Sequence, residues 1–181
     1  MTKTEKLLAV FASALKVGGG VHTTQELAFM MDEHPTPTFT KFLADCVRKG
    51  IVRRLANGVF ESRITPPDPS TAVYQVIKKL RGGVLNYISL ESQLSHTGDI
   101  SQIIMERITV MTKGRSGTFS TPYGVIEFTH TKKPIATIAP HLYFDSNIKM
   151  YRALPEQAIA DLKACRRNTQ MLEHEYVTGS H

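Results

Sequence analysis

Three features of the sequence predict an α+β chain. Apolar residues recur at helical spacing through the first fifty positions, and an Asn-Gly hairpin then breaks that spacing. From Ile108 onward the period changes to the two-residue alternation of strands. The early part reads as a small helical domain with a hairpin, and the later part as a mixed α/β domain built around an antiparallel meander.

Each early element has its own signal. Thr4 or Thr2 can cap a first helix, Thr2 and Glu5 stand at capping-box spacing, and Leu7, Val10, Phe11, Ala14 and Leu15 continue as one stripe until Gly18-Gly19-Gly20 ends the helix. Val21-His22 is short and extended, suited to a small first strand. Thr23 and Glu26 repeat the capping-box spacing and open a second helix, with Leu27, Met30 and Met31 expected to face inward. His34-Pro35 breaks it. Thr36 then supplies a capping hydroxyl, and Pro37 suits the first helical position, where no amide hydrogen is needed. Phe39, Phe42, Leu43, Cys46 and Val47 form the apolar stripe of this third helix. Its opposite face carries Lys41, Ala44 and Arg48, flanked by Thr38, Thr40 and Asp45, and Gly50 stops it. Ile51–Leu55 and Val59–Glu61 are two strands joined through Asn57-Gly58. Helix, short strand, helix, turn, helix and a two-stranded wing is the order of a winged helix-turn-helix.

Charge supports a nucleic-acid partner for that part. The 181 residues carry a formal charge of +6, with an isoelectric point near 9.4. From Arg48 to Arg63 five basic residues face one acid, Glu61. Recognition helices enter the major groove with their N-terminal residues leading, so Thr36, Thr38 and Lys41 are the candidate base readers, with Thr40 beside them. Arg53, Arg54 and Asn57 on the wing are candidates for phosphate or minor-groove contact, and Arg48 for the backbone. The expected partner is double-stranded DNA.

Ile64-Thr65-Pro66-Pro67-Asp68-Pro69 reads as a stiff connection, which places domains at 1–63 and 70–181 with a proline-rich linker at 64–69. After it, Ser70 or Thr71 is expected to cap a helix bearing Val73, Val76, Ile77 and Leu80, with Lys78, Lys79 and Arg81 at its end. Val84–Ser95 reads as a strand-like start and a short helix capped at Ser89, followed by a turn at His96–Asp99. Ile108, Val110 and Thr112 alternate as a strand, and Phe119 and Val125–His130 give two more. Ile135–Phe144 reads as a last extended segment, and Arg152–Arg167 as a helix before a polar tail after Asn168.

Several function classes lack their signatures. No nucleotide-binding glycine motif, zinc-protease pair or serine-hydrolase elbow occurs, so no catalytic residue is assigned. Gly114-Arg115-Ser116-Gly117 reads as a turn rather than a phosphate cradle. Glu127 and His130 are three apart on a strand and so point to opposite faces. Glu127 with Lys132 or Lys133 is too sparse for a nuclease set. Cys46 and Cys165 belong to no ligand spacing, the seven histidines show none, and neither metal nor cofactor is expected. The N-terminus lacks a signal-peptide pattern and no apolar run reaches the ~18–20 residues of a membrane span, so a cytoplasmic location away from the membrane is expected.

The second part resembles a known family. Tyr87-Ile88-Ser89-Leu90-Glu91-Ser92-Gln93-Leu94, Ile108–Thr112 with Gly114-Arg115, and Phe119-(x)3-Tyr123-Gly124-Val125-Ile126-Glu127-Phe128-(x)-His130 look like the antitoxin half of AbiEi-type proteins. Arg152–Leu162 is similar to that family's later Pro-Glu-(x)-Ala helix, although the chain is shorter after residue 168 than many relatives. The resemblance implies an antitoxin of an AbiE (type IV) toxin–antitoxin system that represses its own operon at inverted promoter repeats. It also implies neutralisation of a nucleotidyltransferase-like toxin, with or without direct contact. The alternative reading is a protein-interaction module that binds the toxin directly and has little role on DNA.

Overall fold

The structure is a computed structural model and describes residues 1–98 and 107–166. The expected turn residue Asp99, the end of the last helix at Arg167 and the polar tail lie outside the described residues. Among those described there are seven α-helices and two sheets, in two compact units. The first comprises Met1–Leu80 with Thr121–Tyr123, and the second Arg81–Ser120 with the chain from Gly124.

In the first unit, α1 (Lys3–Leu15) starts from a complete Thr2–Glu5 capping box. β1 (Val21–Thr23) follows, and α2 (Thr24–Met30) opens on the Thr23–Glu26 capping box. α3 (Pro37–Arg48) begins where the Thr36 hydroxyl accepts the Phe39 amide at 3.2 Å. β2 (Val52–Ala56) and β3 (Val59–Ser62) complete an antiparallel three-stranded sheet in the order β1-β3-β2. Helices and sheet share one core, with Leu7 and Phe11 of α1, Leu27 and Met31 of α2, Phe39 and Leu43 of α3, and Phe60 of β3. Each such buried side chain contributes about 1.5–3 kcal/mol of transfer free energy. Met30, expected inside, is 36% exposed because Ala28 takes the inward position beside Leu27.

The stiff connection at residues 64–69 does not separate the two units, because the helix after it, α4 (Pro69–Leu80), belongs to the first unit. Pro67 is buried against Gly20, where an added Cβ would come within 2.8 Å of the proline ring. Gln75 of α4 accepts the Val21 amide at 3.3 Å, and Lys79 pairs with Glu26 at 2.6 Å. Compactness therefore changes after Leu80 rather than at the prolines. Nor do Ser70 or Thr71 cap α4, since the Asp68 carboxylate accepts the Ser70 amide at 2.9 Å.

The second unit is a six-stranded sheet with helices packed on it. Its elements are β4 (Asn86–Ile88), α5 (Leu90–Thr97), β5 (Arg107–Thr112), β6 (Gly117–Thr121), β7 (Gly124–His130), α6 (Ile135–Ile138), β8 (Leu142–Asp145), β9 (Met150–Ala153) and α7 (Pro155–Ala164). The order β6-β7-β5-β4-β9-β8 corrects the expected antiparallel meander. β5 pairs with β7 in parallel, as does β4 with β9, while β4–β5 and β8–β9 are antiparallel. The cause is visible on β5, where Thr109 to Thr112 are buried without a break, as in a central strand covered on both faces. Two further expectations are corrected. Ile135–Phe144 is α6, a 3-10 turn at Ala139–His141 and β8, and Arg152 and Ala153 belong to β9, with the helix starting at Pro155.

Tyr87, Leu90, Leu94, Ile138, Ala158 and Leu162 pack α5, α6 and α7 onto the sheet. Beneath them lies a closed polar cluster. Asp161 accepts from the Tyr87 hydroxyl at 2.9 Å, the Ser89 hydroxyl at 2.7 Å and the Gln157 amide at 2.9 Å. Ser89 occupies the N-cap of α5, yet its hydroxyl serves this cluster and makes no capping bond. Burial, with the neighbouring Asp161 charge, pushes the Tyr87 phenol far above its ordinary range.

Candidate nucleic-acid interface

Because Phe39, Leu43 and Cys46 bury one side of α3, the helix turns Thr36, Thr38, Thr40, Lys41 and Arg48 to solvent. These residues differ in how far they are already committed. The Thr36 hydroxyl accepts the capping bond, the Thr40 hydroxyl donates to the Thr36 carbonyl at 3.2 Å, and Arg48 pairs with Asp45 one turn away. Among the described residues no ion pair engages Lys41. Thr38 and Lys41 are three apart on the exposed face, so they are neighbours with a hydroxyl and an ammonium to offer.

The hairpin separates two adjacent arginines. Arg54 is exposed, with its guanidinium 5.7 Å from the centroid of the Phe60 ring. Arg53 points the other way and is half-buried, donating to Glu61 at 3.2 Å and to the Tyr123 hydroxyl at 3.4 Å. Tyr123 in turn donates to the second Glu61 oxygen at 2.8 Å. Burial alone would lower the Arg53 pKa, but the charge and hydrogen bond of Glu61 outweigh it and hold the guanidinium protonated. Glu61 is only 1% exposed, so Arg53 neutralises a buried carboxylate instead of offering its charge to a phosphate. Asn57 is exposed at the tip, where Gly58 takes φ +70°, and the Gly58 carbonyl accepts the Thr24 amide at 3.1 Å. That bond ties the hairpin to the start of α2.

The structure thus leaves Thr38, Lys41, Arg54 and Asn57 exposed and outside the ion pairs, with Thr36 and Thr40 exposed but bonded within α3, Arg48 exposed but paired on its own helix, and Arg53 inside the hairpin. Lys49 and Arg63 are also exposed at the foot of the hairpin. They were legible as part of the basic run but carried no positional signal of their own.

Elsewhere the residues weighed for catalysis have other partners. Glu127 pairs with Arg107 at 2.6 Å, and His130 Nδ1 lies 2.7 Å from the Gly114 carbonyl oxygen. Among the described residues no group of three or more His, Cys, Asp or Glu side chains is placed to hold a metal ion. Nor is any helix there long and apolar enough to cross a membrane.

No protein-family model matches the chain, and no curated protein matches it by sequence. Among solved structures it is similar to the RV2827C protein from Mycobacterium tuberculosis, with a TM-score of 0.58 at 12% identity. The match covers 91% of this chain and 63% of that one, so the chain spans less than two thirds of the neighbour's length. At that identity the likeness concerns the fold alone.

Proposed function

We propose that the chain is a DNA-binding autorepressor and antitoxin of an AbiE-like (type IV) toxin–antitoxin pair. In this reading the first unit is a winged helix-turn-helix. α3 lies in the major groove with Thr38 and Lys41 toward base edges, while Arg54 and Asn57 of the wing meet the phosphates or the minor groove. The observation that carries the DNA-binding half is the solvent-facing Thr38–Lys41 pair on a helix followed directly by a hairpin with an exposed arginine. The antitoxin half rests on the residue resemblance, which points to a co-expressed nucleotidyltransferase-like toxin as the second partner and to the cytoplasm as the place of action.

Fluorescence anisotropy with the chain's own upstream promoter duplex tests the first half. Tighter binding to that duplex than to a random one is expected, with affinity falling steeply as salt rises. Folded protein that ignores the promoter at low ionic strength defeats the repressor reading. Co-expression with the neighbouring toxin gene tests the second half, where growth restored by the full chain is expected and unrelieved arrest overturns it.

A further inference from the structure

One end of the second unit's sheet collects positive charge and no acid. Asn86 of β4, Thr112 of β5 and His130 of β7 stand side by side there in register, so the chain segments that enter or leave these strands meet. Those segments, 81–86, 112–117 and 130–135, carry Arg81, Lys113, Arg115, Lys132 and Lys133 without a single Asp or Glu. Of the next acids along the chain, Glu91 is buried, and Glu127 and Asp145 are paired with Arg107 and Arg152.

Hydrogen bonds lock the three segments together. The Lys113 amide donates to the Leu85 carbonyl, and the Lys113 ammonium donates to the Thr131 and Lys133 carbonyls, each at 3.0 Å. Arg81 Nε donates to the Arg115 carbonyl at 2.9 Å. Burial, and after it the Arg115 charge, lowers the Arg81 pKa, so two like charges share this corner. Arg115 and Lys132 are exposed, and Lys113 and Lys133 half-buried. Among the described residues no ion pair engages any of these four.

The neighbouring side chains decide which polyanion fits. A single nucleic-acid strand needs open aromatic faces for its bases. Here Phe128 is buried, half-buried Phe119 packs edge-on against it, and the Arg81 guanidinium lies 4.6 Å and 5.2 Å from the two ring centroids. A duplex is read by a helix or a two-stranded ribbon entering a groove, and this end presents only turns and the start of the four-residue α6. What stands open is aliphatic. Val84, with a methyl beside Gly114, is 42% exposed, and Ile135, after Pro134, is 51% exposed. A phosphodiester chain gains nothing from such side chains, whereas a peptide with carboxylates and aliphatic residues is complementary to both features.

We propose that this end of the second unit is a docking surface for an acidic, aliphatic-bearing segment of a partner protein. The partner's carboxylates meet Arg115, Lys132 and Lys133, and its aliphatic side chains cover Val84 and Ile135. No residue of the proposed DNA-reading face takes part, so the inference stands apart from the repressor reading.

The test uses the full chain and a labelled leucine/glutamate peptide, with a leucine/lysine peptide as the charge-reversed control and an oligouridylate and a random DNA duplex as competitors. Binding of the leucine/glutamate peptide alone is expected, displaced by neither competitor, with NMR shifts concentrated on residues 82–85, 113–116 and 132–135. Arg115→Gln combined with Lys132→Gln should weaken binding at least about tenfold and flatten its salt dependence, with the melting temperature unchanged because both side chains are exposed. Ile135→Ser should weaken binding about threefold and leave the salt dependence as it was. Absence of leucine/glutamate binding, equal binding of both peptides, or an unaffected double variant overturns the proposal. So does displacement of the peptide by the oligouridylate or the duplex, or loss of promoter binding in the double variant, either of which would assign the charges to nucleic acid. Peptide binding by a chain that ignores its promoter would uphold this inference and sink the repressor reading.

Discussion

On the first unit Thr38, Lys41, Arg54 and Asn57 face solvent, whereas Tyr87, Ser89, Gln157 and Asp161 of the second unit are buried and satisfy one another. Arg152, also buried, repeats the second pattern, donating to Asp145 at 2.8 Å and to Gln93 at 3.1 Å. Asp145 is held below the usual carboxylate range chiefly by its hydrogen bond from Arg152. A polar group whose donors and acceptors are met inside the fold has little left for a ligand, and removing one leaves its partners orphaned. An exposed group with no internal partner can be deleted at small cost to the fold. The contrast is between polar side chains left to solvent on the proposed reading face of the first unit and polar side chains that satisfy one another in the core of the second.

The sharpest way to break this comparison is Asp161→Ala. It strands the Tyr87 and Ser89 hydroxyls and the Gln157 amide in the core, and should cost about 3 kcal/mol of unfolding free energy. Urea denaturation measures it, and a loss below about 1 kcal/mol would mean the cluster is not the closed network described. Next in size is the difference between the two wing arginines. Arg53→Ala leaves Glu61 buried with the Tyr123 hydroxyl as its remaining close partner and should cost about 2 kcal/mol. Arg54→Ala should stay within about 0.5 kcal/mol in stability but lower promoter affinity and flatten its salt slope by about one. A reversal of these two phenotypes would exchange the roles of the neighbours.

Those arginines also mark how far the sequence could be read. The caps of the first three helices, the apolar stripe of α3, the Asn57-Gly58 turn and the order of the first six elements were all local signals, and they appear where local chemistry placed them, whereas the expected caps at Ser70 or Thr71 and at Ser89 do not. The partner of Arg53 was not local. An even two-residue hairpin at Asn57-Gly58 would set Arg54 opposite Glu61, but the register shifts between Arg54 and Ala56 and brings Arg53 to that position. Similarly, the strand pattern of residues 108–130 was legible while the pairing of β5 with β7 was not, because alternation reports which way side chains point and not which strand lies alongside. Pro67 misled for the same reason. Its stiffness is a sequence property, but its burial against Gly20 is tertiary.

A smaller effect sharpens the α3 side of the comparison. Lys41→Ala removes an exposed ammonium from the proposed reading face without exposing any core. Stability should therefore be unchanged, while the ratio of promoter to random-duplex affinity falls about fivefold, or about 1 kcal/mol. A uniform loss on both duplexes would make Lys41 a phosphate contact, and base reading would move to Thr38.

The smallest effect concerns His22, the one buried histidine of the first unit's sheet. Burial lowers its pKa, the Glu26 carboxylate opposes that and Lys79 adds to it, so the net displacement is downward from 6.5. The unfolded chain then takes up the proton before the folded one does. Stability from neutral His22 is fully present above about pH 6.5 and is lost as pH falls from there through the folded value. Protonation would also remove the Nε2 lone pair that accepts the Gly20 amide, loosening the turn on which Pro67 packs. His22→Gln, which keeps a polar side chain without a titrating ring, should flatten the fall in stability between about pH 7.5 and about pH 5. That window keeps clear of Glu26, whose pKa is lowered because Lys79 and Thr23 outweigh the opposing effect of burial, so that its contribution is lost only at more acid pH. Identical pH profiles for the two proteins would show that His22 titrates as freely in the fold as in the unfolded chain.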